Sequence, residues 1–233
     1  MVKKEMKVCE RCKGTGEIRV SDESYLNGYH LERCGCKYSN EDMNIPKLFQ
    51  EKTLDNFKSN SGVISTLKEY VKSFSLESVK RGFYFTGSVG VGKTHLAIAL
   101  LKELACKKGI RGQYISSSDL LNLKRESIRD ESLFESIGRF ERAELLALDD
   151  IGVEKTSTWV EEQTTSLIDQ RYRNALSTII TSNYLLENLK DKFSDPAVGF
   201  RVVSRITEMC IVVYLEASDY RLKSRVEKRY AGK

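Results

Sequence analysis

The densest chemistry in this sequence lies in Gly87-Ser88-Val89-Gly90-Val91-Gly92-Lys93-Thr94, which fits the pattern G-x-x-x-x-G-K-[ST]. Glycines let a backbone turn its N–H groups inward and approach phosphates closely. A helix opening at Gly92 adds the positive end of its dipole. Lys93 then reaches the β- and γ-phosphates, and Thr94 offers a hydroxyl to Mg²⁺. The eight loop residues, with His95 next in line, are the candidates for holding a nucleotide. A second block, Leu145-Leu146-Ala147-Leu148-Asp149-Asp150, is an apolar run ending in two acids. Such a strand delivers a carboxylate beside the phosphate loop, where Asp149 holds the magnesium ion through water and Asp150 orients or deprotonates an attacking water. No N-K-x-D base-reading motif is visible, which disfavours GTP and leaves ATP as the nucleotide.

The other concentration of reactive groups is Cys9-x-x-Cys12 and Cys34-x-Cys36, separated by residues 13–33. Four thiolates make a closed tetrahedral Zn²⁺ site with no open position for catalysis, so its role is structural. His30 is the alternative ligand for Cys34 or Cys36. Four reduced thiols, or a redox pair, are the readings without metal; a redox C-x-x-C sits at a helix start in an α/β context, which is missing here. Cys106 and Cys210 lie in apolar patterns and read as buried structural residues.

Elements must position these groups. A β-rich run, residues 83–87, precedes the glycine loop, and a helix-forming run, 93–108, follows it. Further strands are predicted at 113–116, 144–150, 177–183 and 210–215. Helices are predicted at 65–79, across the polar stretch 118–139, at 157–173 and at 196–208. Strands separated by helices imply a parallel α/β sheet. The 233 residues, 40% of them hydrophobic, suffice for one sizeable core and a small appendage. Residues 1–40 carry few aliphatic side chains and need a staple. Residues 41–61 read as a linker whose Leu48, Phe49, Leu54 and Phe57 dock it on the domain 62–233. The net charge of +5 permits nucleic acid without requiring it. No apolar run is long enough for a bilayer, and no signal-like segment follows the basic N-terminus, which predicts a cytoplasmic protein with reduced thiols.

Several blocks together carry a resemblance: TGSVGVGKTHLAIAL, LLALDDIGVEK with TSTWVEEQ, TIITSNY, RVVSRITEMC and DYR. Over residues 62–223 the chain resembles the AAA+ helicase loaders of the DnaC and DnaI type and the IstB-like transposition ATPases. The resemblance implies an AAA+/ASCE P-loop NTPase fold lacking a full C-terminal lid, here joined to the zinc module. It implies slow, partner-stimulated ATP hydrolysis, because Asp150 stands where Glu is common. Asn183 looks like the sensor of the γ-phosphate, Arg205 (or Arg201, one turn earlier) like a finger reaching a neighbouring subunit, and Arg221 like a second sensor. The implied partners are a DnaB-type ring helicase gripped by the N-terminal module, further copies of the chain, and single-stranded DNA. For DNA the candidate stretch is Tyr114 to Arg139, with Lys124, Arg125, Arg129 and Arg139; a solvated helix of mixed charge is the bland alternative. A transposition ATPase acting on duplex DNA, and a zinc-dependent interaction module that binds nucleotide without hydrolysis, are the competing functions.

Overall fold

The computed structural model describes residues 9–21, 24, 28–58, 61–75, 82–155 and 157–216. Its centre is a parallel sheet of five strands in the order β4-β5-β6-β3-β7: β3 (Gly82–Gly87), β4 (Gly112–Ser116), β5 (Leu145–Asp149), β6 (Ser177–Ser182) and β7 (Cys210–Leu215). The strands β3, β5 and β6 are buried along their whole length. That explains why none of them alternates apolar with charged residues, since a parallel sheet is covered on both faces: β5 is apolar up to Asp149, and β3 and β6 add only glycine and small hydroxyl residues to their apolar centres. Phe83 and Phe85 join one core layer with Leu145, Ala147 and Ile179, while Tyr84 joins the other with Leu146, Leu148 and Ile180.

On the first face lie α1 (Ser61–Ser73) and α2 (Lys93–Lys108); α5 (Thr158–Arg173) and α7 (Pro196–Met209) cover the second. The remaining helices are α3 (Ser117–Glu126), α4 (Leu133–Glu141) and the single turn α6 (Leu186–Leu189). Local chemistry sets several boundaries. Ser116 and Ser157 cap α3 and α5 through their side chains, and Asp195 caps α7 ahead of Pro196. Gly109, at φ 71°, closes α2 in a left-handed cap.

The helix expected over 65–79 starts earlier and ends at Ser73. The stretch 118–139 is two helices rather than one. Asp130 accepts hydrogen bonds from the amide (3.0 Å) and hydroxyl (2.6 Å) of Ser132, and this local turn replaces a helical turn between α3 and α4. Cys106 is exposed, not buried, because it lies on the side of α2 turned from the sheet; Cys210 is buried as expected. In the connecting segment Met43, Ile45 and Leu54 enter the first core layer, whereas Leu48 remains 79% exposed. Arg171 is fully buried without a carboxylate. Its guanidinium donates to the carbonyls of Glu141 (3.0 Å), Ala143 (3.1 Å) and Ser177 (2.5 Å), tying the end of α4 to β6.

The N-terminal residues form the hairpin β1 (Glu17–Ser21) and β2 (Tyr29–Arg33), which the sequence did not predict. No described helix is long and apolar enough to cross a membrane.

Candidate functional site: a phosphate loop and a cysteine cluster at opposite edges of the sheet

At the C-terminal edge, β3 runs into the glycine loop. Gly87 (φ 144°), Gly90 (φ 82°) and Gly92 (φ 98°) all take backbone angles that side chains resist. A Cβ on Gly87 would also lie 2.3 Å from the carbonyl oxygen of Leu215. Lys93, buried at the first turn of α2, donates to the carbonyls of Gly87 (2.9 Å) and Ser88 (2.8 Å), so its ammonium folds back on its own loop.

The next residue makes the decisive contact. The hydroxyl of Thr94 lies 3.0 and 3.1 Å from the two carboxylate oxygens of Asp149, across 55 positions of sequence. One hydroxyl and one carboxylate meeting at the mouth of a phosphate loop form a hard oxygen donor set that fits Mg²⁺. Two further hydroxyls hold Asp149: Tyr114 from β4 (2.8 Å) and Thr181 from β6 (2.6 Å). Sequence reading missed both. Neither stands out in sequence, since Tyr114 is the centre of Gly-Gln-Tyr-Ile-Ser and Thr181 is one of four hydroxyl residues in β6.

Asp150 follows β5 in a left-handed conformation (φ 59°) and is half-buried. Its amide donates to the Thr181 hydroxyl at 2.9 Å, which fixes the turn. Asn183 follows β6 and is exposed. The register pairs Thr86 with Ser182 and Leu148 with Ile180, so Asn183 stands level with Gly87 and one step past Asp150. The hydroxyls of Tyr84 (2.8 Å) and Thr86 (2.7 Å) both donate to the Tyr184 carbonyl and anchor the turn behind Asn183.

Other predicted residues lie elsewhere. His95 turns its ring to the connecting segment, with Nε2 2.8 Å from the Thr53 carbonyl oxygen and the ring edge-on to Phe57. Burial pushes its pKa below the ordinary histidine value, aided by Lys52 and Lys102 and opposed by the Thr53 contact. On α7, Arg205 is ion-paired with Asp169 and stacks over Tyr172, whereas Arg201 is exposed. Arg221 falls outside the described residues.

At the opposite edge sit the four cysteines. Their Sγ atoms all lie within 4.8 Å of one another. The pairs Cys9–Cys34 and Cys12–Cys36 are 3.8 and 3.5 Å apart. Four sulfurs placed about 2.3 Å from a zinc ion stand about 3.8 Å from each other, so the cluster fits the metal. The amide of Gly16 points at Cys12 Sγ (3.3 Å), as donors to thiolates do. His30 is outside the cluster and contacts Glu32 (2.8 Å), which removes it as a replacement ligand.

This module is seated on the α/β domain that carries the phosphate loop. Gly35 N–H donates to the Gly109 carbonyl (3.2 Å), and Glu10 N–H to that of Lys107 (3.1 Å). Arg11 grips both carboxylate oxygens of Glu144 (2.8 and 3.0 Å), which also takes the amide (2.8 Å) and guanidinium (3.1 Å) of Arg111. Arg111 is in turn ion-paired with Glu32 of β2. The seat therefore lies at the C-terminus of α2 and the foot of β5, the far ends of the two elements that carry Thr94 and Asp149.

With this geometry in place, comparison with known proteins gives a family. The profile of the IstB-like ATP binding protein family matches residues 23–228. The replicative helicase loader DnaI of Bacillus subtilis is 26% identical over 161 residues, 66% of this chain and 51% of that protein. An IS232 putative ATP-binding protein of Bacillus thuringiensis subsp. berliner is 33% identical over 145 residues, 62% of this chain and 57% of that one. The chain thus spans little more than half the length of these relatives. Among solved structures, a crystal structure of the DnaC helicase loader superposes with TM-score 0.66 at 33% identity, covering 73% of this chain and all of that one.

Proposed function

The chain belongs to the IstB-like ATP-binding protein family, and from that membership we propose that it is an ATP-dependent loader of a ring-shaped replicative helicase. The observation that carries the nucleotide half of this reading is the Thr94–Asp149 contact at the mouth of the glycine loop. Lys93 leaves its loop carbonyls for the β- and γ-phosphates. Bound magnesium would neutralise developing phosphate charge between Thr94 and Asp149. Asp150 orients or deprotonates the attacking water, and Asn183 donates to the γ-phosphate while accepting from that water. Arg221 serves as the second sensor.

Arg205 acts on the site of a neighbouring copy, so its pair with Asp169 opens on assembly. Arg201, already exposed, is the substitute if that pair stays closed. A finger of this kind is worth about 10³–10⁵ in rate. Hydrolysis by a lone chain is accordingly slow, and oligomer and partner accelerate it. Single-stranded DNA passes along α3 and α4, where Arg125 stacks 4.7 Å from the Trp159 ring centre and Ile128 and Phe134 stand exposed. Basic groups beside apolar and aromatic ones suit unpaired bases.

The loader reading draws on the DnaC structure, matched over its full length, and on the zinc-compatible module at the N-terminus. That module grips the helicase. A second reading, a transposition ATPase on duplex DNA, draws on the insertion-sequence relative. A pull-down with a DnaB-type ring helicase, with ATP or ADP and with zinc present or chelated, separates them. Helicase retained only with zinc supports the loader. Absence of capture in every condition, together with ATP-dependent filaments on duplex DNA, supports the alternative.

A further inference from the structure

The Asp149 carboxylate is buried, and both its oxygens are taken by strand-borne hydroxyls: Oδ1 by Thr181 (2.6 Å) and Oδ2 by Tyr114 (2.8 Å). Thr94 faces the same carboxylate from α2 and is the hydroxyl that turns to the metal. Thr181 is shared, since it also receives the Asp150 amide. Tyr114 gives its hydroxyl to Asp149 within a buried setting.

What holds Tyr114 is unusual. Its strand, β4, is the edge of the sheet, and the segment following the cysteine cluster pairs with its outer side. Tyr114 N–H donates to the Met43 carbonyl (2.9 Å), and the Asn44 side-chain amide donates to the Tyr114 carbonyl (2.9 Å). Beside them, Gln113 donates to the Asp42 carbonyl (2.8 Å), and the Asp42 carboxylate pairs with Arg33 of β2 (2.9 Å). Asn44 takes a left-handed backbone (φ 57°) to make this clamp.

We propose that Tyr114 is a positioning residue for the magnesium-binding carboxylate Asp149, and that residues 42–44, immediately behind the cysteine module, set its place. The inference rests on the reading of Asp149 as the magnesium carboxylate. With Oδ2 fixed by Tyr114 the carboxylate plane cannot rotate, and its remaining lone pairs stay aimed at the metal. Without it, Thr181 holds the group at Oδ1 alone, so the carboxylate can pivot about that bond and must be ordered when the ion arrives.

The test uses the full chain with Mn²⁺ in place of Mg²⁺. Metal affinity is read by electron paramagnetic resonance in the presence of ADP, alongside ADP affinity without metal. Tyr114→Phe removes one oxygen atom and is expected to weaken Mn²⁺ about tenfold while leaving metal-free ADP binding unchanged. Asn44→Gly keeps the left-handed backbone and the Met43 contact, removes the side-chain half of the clamp, and should weaken Mn²⁺ in the same direction by about threefold, the size of one modest hydrogen bond. Wild-type Mn²⁺ affinity in Tyr114→Phe overturns the proposal, as does an equal loss with and without metal, which marks a general fold defect. Wild-type affinity in Asn44→Gly overturns the part given to residues 42–44. If the unaltered protein binds no Mn²⁺ with ADP, the nucleotide reading itself fails and takes this inference with it.

Discussion

At the nucleotide edge of the sheet, Lys93, Thr94 and Asp149 ride on α2 and β5, whose side chains fill a two-layer core. At the opposite edge, the hairpin of β1 and β2 buries little beyond Ile18 and the cysteines. The first region is rigid because apolar burial fixes its backbone before any ligand arrives. The second has four sulfurs, a bidentate arginine and close backbone contacts to Gly109. A core of that size does not offset the entropy of ordering its own chain. The difference teaches that one region is shaped by its own core, whereas the other gathers four sulfurs that fit a metal where a core is lacking.

Metal removal is the strongest way to break this comparison. Zinc binding in such modules is linked to folding by about 10–16 kcal/mol. Chelation, or Cys34→Ser, should therefore abolish amide-exchange protection in β1 and β2 while ATP still binds the loop within about threefold, a change under about 1 kcal/mol. Loss of ATP binding on chelation would show that the two edges do not stand apart. The converse substitution, Lys93→Ala, should weaken ATP by about a hundredfold, as expected for charge-assisted bonds to phosphate. Metal analysis should still find the same zinc content. A smaller effect tests the seat. Arg11→Ala leaves Arg111 on Glu144, so thermal unfolding should register a loss of about 1–2 kcal/mol at most, the pair being partly exposed.

The smallest effects are in pH. Burial pushes the Glu144 carboxyl up, but the Arg11 bond, the Arg111 amide and both guanidinium charges outweigh it and hold the group below its usual range. The unfolded chain then binds the proton first as pH falls, so the contribution of Glu144 is complete above the ordinary carboxylate range and fades only below about 4.5. His95 is depressed as well, chiefly by burial, so its contribution is complete above about 6.5 and fades as pH falls through its lower folded value. Stability differences between the wild type and Glu144→Gln or His95→Gln, measured from pH 8 to 4, should shrink in that order of pH: the histidine difference first, the glutamate difference last.

The phosphate loop was legible because its chemistry is local: glycines, a lysine and a threonine act within eight residues. Strands β3, β5 and β6 were legible because burial on both faces excludes charge from their centres and leaves β-branched, aromatic or leucine-rich stretches between turn residues. The cysteine cluster could be read from spacing alone. Its seat could not, since Arg11 and Glu144 are 133 positions apart and each reads as an ordinary surface charge. Tyr114 and Thr181 were hidden for a similar reason, because a hydroxyl within a strand declares no partner. Cys106 misled because α2 is buried all round from Leu96 to Leu101 and opens to solvent only in its last turns, where Cys106 lies. The break between α3 and α4 lay in a short polar run whose side chains compete with the helix for backbone partners.

The meeting of Gly35 with the end of α2 carries a practical consequence. Gly35 has an unexceptional backbone; what it lacks is room, since a Cβ there would lie 2.0 Å from the carbonyl oxygen of Ile110. A single methyl group would work as a wedge, prising the appendage off its base without touching a sulfur, a charge or the phosphate loop. Replacing that hydrogen offers the gentlest means of cutting the molecule in two while leaving both halves chemically whole.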